Sequence, residues 1–117
     1  MKLIITESQK DRIVEKLVFR YLDKQNYNQI ELGDNIYFVK NIGDQYGDIR
    51  FDKSDGWCYI SYDLISFFSR MMGVEESDSR AIIGRWVEHA LQMRVKFTYT
   101  LGNYLADELN IPYNKIN

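Results

Sequence analysis

Apolar residues at Ile13, Val14, Leu17, Val18, Tyr21 and Leu22 recur at the spacing of one helical face, while Lys10, Asp11, Glu15, Lys16, Asp23 and Lys24 fill the other side. This pattern predicts an N-terminal helix over 7–24. Thr6-Glu7-Ser8-Gln9 has the form of a capping box, with Thr6 accepting from a free backbone N–H and Gln9 reaching back. Asn26-Tyr27-Asn28 ends the periodicity.

Between Gln29 and Tyr62 the period becomes that of strands. Ile36-Tyr37-Phe38-Val39 is rich in β-formers and lies between Gly33-Asp34-Asn35 and Asn41-Ile42-Gly43-Asp44. The segments 48–52 and 57–62 flank Lys53-Ser54-Asp55-Gly56, so the region reads as a three-stranded antiparallel meander. Asp55-Gly56 signals a hairpin because glycine takes the positive φ that such a turn needs. A loop of two or four residues puts Ile49, Phe51, Cys58 and Ile60 on one face, with Trp57 and Tyr59 on the other beside Arg50 and Asp52. A three-residue loop with a bulge would instead place Phe51 with Trp57 and Tyr59, since a slip of one residue exchanges the faces. The even loop gathers more aliphatic residues inward and is the favoured register.

The helical period returns at Asp63. Leu64, Ile65, Phe67, Phe68, Met71 and Met72 form a wide apolar face that Gly73 ends as a left-handed cap. Ser77-Asp78-Ser79 offers capping side chains to a further helix lined by Ile82, Ile83, Trp86, Val87, Ala90 and Leu91, with Arg80, Arg85, Glu88, His89 and Gln92 opposite. Beyond it the alternation of 95–100 is compatible with a strand, and Leu101, Tyr104, Leu105 and Leu109 suggest a short helix stopped by Asn110-Ile111-Pro112. The expected fold is one α+β domain over 1–117: an N-terminal helix, the meander, then a helix pair packed on the sheet.

Composition narrows the function classes. A chain of 117 residues can bury the core of one domain. No apolar run approaches the roughly 20 residues of a membrane span, and the apolar start is too short for a signal peptide. Cys58 is the only cysteine, so there is no internal disulfide and no thiolate cluster for a metal. These features point to a cytoplasmic location. The net charge of −2 argues against a general polyanion binder. Asp44, Asp48, Asp52, Asp55 and Asp63 crowd 41–65 against only Arg50 and Lys53. Aromatic residues make up 15%, nine of them Tyr, which suits a core of large side chains or a half-exposed contact surface.

Catalytic and cofactor motifs are lacking. His89 falls on a polar helix face, and its pairing with Cys58 as a nucleophile would depend wholly on the fold. A calcium loop built on Gly56 would need ligands where Phe51 and Lys53 stand. Asp44, Asp48 and Asp52 read as turn formers rather than metal ligands. No cofactor is expected and no enzyme activity. The run 65–89 has a helix–Gly73–helix outline like a helix-turn-helix, in which Arg80 and Arg85 would reach nucleic acid, but Glu75, Glu76 and Asp78 would repel phosphates.

The start Met1 to Gln9, with Tyr59 to Tyr62, Met72-Gly73-Val74 and Trp86, resembles small uncharacterised proteins of marine bacteriophage and metagenomic origin. That resemblance implies a phage-like origin and no catalytic residue. The expected function is non-enzymatic protein–protein interaction by an accessory protein, with Arg50, Asp52, Asp55, Trp57 and Tyr59 as the contact residues. Nucleic-acid binding is the alternative, through Arg80 and Arg85 or by stacking of bases on Trp57 and Tyr59. A second copy of the chain is another candidate partner.

Overall fold

A computed structural model describes residues 7–101 and 109–112. The first helix, α1 (Glu7–Lys24), has the expected bounds. Thr6, and with it the expected capping box, lies outside the described residues, as do Tyr104 and Leu105 of the short helix expected near the end. The α1 stripe is narrower than the sequence pattern. Val14, Val18 and Leu22 are buried, whereas Ile13 and Leu17 stay 47% and 41% exposed.

The meander has four strands rather than three: β1 (Asn28–Leu32), β2 (Asn35–Val39), β3 (Ile49–Asp52) and β4 (Trp57–Ser61). All pair antiparallel in chain order. The unanticipated strand, β1, joins β2 through Gly33-Asp34, with Gly33 at φ 60° as a two-residue hairpin turn allows. Helices α2 (Tyr62–Met72) and α3 (Glu76–Leu91) follow, and Gly73 closes α2 at φ 65° as expected. The capping expected of Ser77-Asp78-Ser79 is not found: α3 starts after Glu75, with no side-chain cap. Ser79 is buried instead, its hydroxyl donating to the Ile65 carbonyl at 2.9 Å and tying α3 to α2.

The second departure is β5 (Phe97–Leu101), which pairs parallel with β4 and completes a sheet of order β1-β2-β3-β4-β5. Parallel neighbours need a long crossover, and α2 and α3 supply it. Gly84 lets the crossover close. A Cβ there would lie 2.5 Å from Cγ2 of Thr98, so any larger residue would force α3 and β5 to shift apart.

The core lies between the helices and one face of the sheet. Val14, Val18 and Leu22 meet Ile36, Phe38, Ile49, Phe51, Cys58 and Ile60 from the strands, and Ile65, Phe68, Ile82, Ile83, Trp86 and Val87 from α2 and α3. Trp86 is 4% exposed and satisfies its indole N–H by donating to Asp23 at 2.9 Å.

Candidate functional site

The β3–β4 loop resolves the register. Asp52 pairs with Trp57 across Lys53-Ser54-Asp55-Gly56, an even loop of four, and Gly56 has φ 77°. Ile49, Phe51, Cys58 and Ile60 are therefore buried against the helices, and Trp57 and Tyr59 lie on the outer face with Arg50 and Asp52, as the favoured register required. The loop carboxylates shape the turn. Asp52 accepts from the backbone N–H and hydroxyl of Ser54, at 2.9 and 2.6 Å, and Asp55 accepts from the Trp57 N–H at 2.9 Å. Asp48 accepts from the Tyr27 hydroxyl at 2.7 Å, and Asp44 from the Asn41 N–H at 3.0 Å. Among the described residues no three His, Cys, Asp or Glu side chains are grouped to hold a metal.

Register rows continue across the outer face. One runs Ile30, Tyr37, Arg50, Tyr59, Tyr99; the next runs Leu32, Asn35, Asp52, Trp57, Phe97. At the β1–β2 end, Ile111 packs on Tyr37 and Val39, with Ile30 and Leu32 beside them. Backbone bonds hold that segment down: Gly47 N–H donates to Leu109, and Ile111 N–H to Gln45. At the β4–β5 end the face carries rings. Tyr59 and Tyr99 stack at 5.7 Å and 22°; Trp57 lies 5.0 Å from Tyr99 and meets Phe97 edge-on at 6.1 Å. The Arg50 guanidinium sits 4.3 Å from the centre of Tyr59, a cation–π contact. Partial burial raises the Tyr59 phenol above its ordinary value; Arg50 opposes the rise, while Asp55 and Asp52 add to it.

Thus Arg50, Asp52, Asp55, Trp57 and Tyr59 do come together, and sequence reasoning missed two further members, Phe97 and Tyr99. They are 57% and 39% exposed. Their signal was the alternation of ring and threonine over 97–100, whose place in the sheet only the crossover decides. Arg80 and Arg85 do not join the group. Arg80 donates to the Thr100 hydroxyl at 3.3 Å, and Arg85 pairs with Glu15 of α1 at 2.7 Å. Cys58 and His89 do not pair either: Cys58 is fully buried, its thiol pushed up to about 12 by burial, whereas His89 is exposed beside Phe19.

A concavity of about 1190 Å³ runs along α1 past Arg12, Ile13, Lys16, Phe19 and Arg20. Its described lining comes from α1 and the turn that follows it. Compared with known proteins, the chain matches no family model, no curated protein and no solved structure.

Proposed function

We propose that the chain is a non-enzymatic accessory protein that binds another protein through the outer face of its sheet. The observation behind this reading is the contiguous ring surface of Trp57, Tyr59, Phe97 and Tyr99 on two adjacent strands, beside Arg50. Rigid aromatic residues and arginine anchor protein interfaces because they bury much area for little lost rotamer freedom. Asp52 and Asp55 border the rings and suit a partner with a basic rim. The lone buried Cys58 and the resemblance at the start of the chain support a phage-like protein acting in a bacterial cytoplasm.

The test is capture from nuclease-treated bacterial lysate by the immobilised protein, beside Trp57→Ala and Phe97→Ala. A specific protein held by the parent should lose about 2 kcal/mol, or roughly thirty-fold in affinity, on removal of an anchoring ring. Capture that ignores both substitutions would refute the reading.

A second reading rests on the Tyr59–Tyr99 stack under Arg50, an arrangement on which unpaired bases can stack. Asp52 and Asp55 count against it by repelling phosphates. Titration with single-stranded DNA decides: binding at moderate salt that Trp57→Ala abolishes would favour this reading over a protein partner.

A further inference from the structure

The strand that completes the ring surface also ends the sheet. Among the described residues nothing pairs with the outer edge of β5. Lys96 donates its backbone N–H to the Gly56 carbonyl, which precedes β4, at 2.8 Å. Successive residues of a strand aim their main-chain groups to opposite sides, so Thr98 and Thr100 face β4. Phe97, Tyr99 and Leu101 therefore present N–H and C=O groups to the open edge.

Edge strands are usually guarded by charge, proline, or a bulge. Phe97-Thr98-Tyr99-Thr100-Leu101 has no charge and no proline. The opposite edge, β1, differs in carrying Glu31, paired with Lys53. The β5 sequence is also nearly the same read backwards. Laid antiparallel on itself with Tyr99 at the centre, it sets Phe97 opposite Leu101, Thr98 opposite Thr100 and Tyr99 opposite Tyr99. These are aromatic–aliphatic, threonine and aromatic pairs of the kind that stabilise neighbouring strands. This register also uses every outward-facing residue of the strand; a shift by two leaves one unmatched at each end. Beside the edge, Ala81 and Gly84 of α3 line a concavity of about 180 Å³ with Val95 and Thr98.

We propose that β5 pairs antiparallel with β5 of a second copy about a two-fold axis at Tyr99, forming a homodimer with one sheet continuous across both copies. The near-palindrome selects a second copy over an unrelated extended segment. The ring rows of the two copies then adjoin, doubling the outer contact face.

Light scattering across a concentration series tests this. The parent should show twice 13.9 kDa at high concentration, with dissociation on dilution. Tyr99→Lys opposes two cations at the axis, and Tyr99→Pro deletes an edge N–H that β4 does not use. Both should give 13.9 kDa with unchanged circular dichroism, while Tyr99→Phe stays dimeric. Hydrogen exchange on the unmodified protein reads the same edge without a variant: the Phe97 and Tyr99 amides should be protected when concentrated and exchange freely when dilute. A parent at 13.9 kDa throughout, a dimer that survives Tyr99→Lys, or amides exchanging freely at every concentration would overturn the proposal. A monomeric result leaves the protein-binding reading standing, because that reading is tested at Trp57.

Discussion

The half-buried Tyr27 and the buried Cys58 show how single groups set the chain's response to pH. The Tyr27 phenol donates to Asp48 at 2.7 Å and packs against Phe38 and Trp86. Tyr27→Phe removes a hydrogen bond to a carboxylate and should lower stability by about 1.5–3 kcal/mol in urea titration. Burial first, then the Asp48 charge, raises the phenol well above its ordinary 10.0, and burial alone lifts the Cys58 thiol from 9.0 to about 12. Above pH 9 the unfolded thiol therefore releases its proton while the folded one keeps it. The unfolded state binds fewer protons there, so stability falls as pH rises. The slope approaches about 1.4 kcal/mol per pH unit for one such group. Cys58→Ala should flatten the decline between pH 9 and 10, leaving the Tyr27 contribution to begin above pH 10. Equal slopes in parent and variant would refute the assignment.

At the scale of elements, α3 and β5 depend on each other through Gly84. Alanine in a helix normally gains up to about 1 kcal/mol over glycine. At Gly84 the added methyl would sit 2.5 Å from Thr98 Cγ2. Gly84→Ala should therefore destabilise by about 1–3 kcal/mol, the usual cost of overpacking. Adding Thr98→Ser removes the clashing methyl and should recover most of that loss in a double-mutant cycle; no recovery would place the strain elsewhere. This contact also explains what the sequence could and could not reveal. The β3–β4 hairpin was legible because Asp55-Gly56 fixes its loop locally, and the alternating residues then assign Trp57 and Tyr59 to one face. β1 was hidden because Ile30 and Leu32 alternate with Asn28, Gln29 and Glu31, a weak strand pattern. β5 was visible as an alternating run, but its partner lies across two helices, and no local signal carries that pairing. Half of the ring surface was lost with it.

For the whole molecule, a net charge of −2 includes a row of cations along one side of α1. Val14, Val18 and Leu22 turn the inner side of α1 to the core, leaving Arg12, Lys16, Arg20 and Lys24 exposed along its outer side. Two of the acids on this helix are engaged in structure, Glu15 with Arg85 and Asp23 with the Trp86 indole, while Asp11 is exposed. On the far side of the sheet, Asp52 and Asp55 border the rings. Such a field steers polyanions toward α1 and away from the ring surface, and salt screens it over about 8 Å at physiological ionic strength. Heparin should thus hold the protein only at low salt, and Lys16→Glu with Arg20→Glu should release it. Trp57→Ala should leave retention unchanged, because Trp57 lies on the outer face of the sheet and the α1 cations lie on its helix side. Retention that instead depends on Trp57 and persists at high salt would mean that stacking, not charge, holds the polyanion, and would move the nucleic-acid reading ahead of the protein partner.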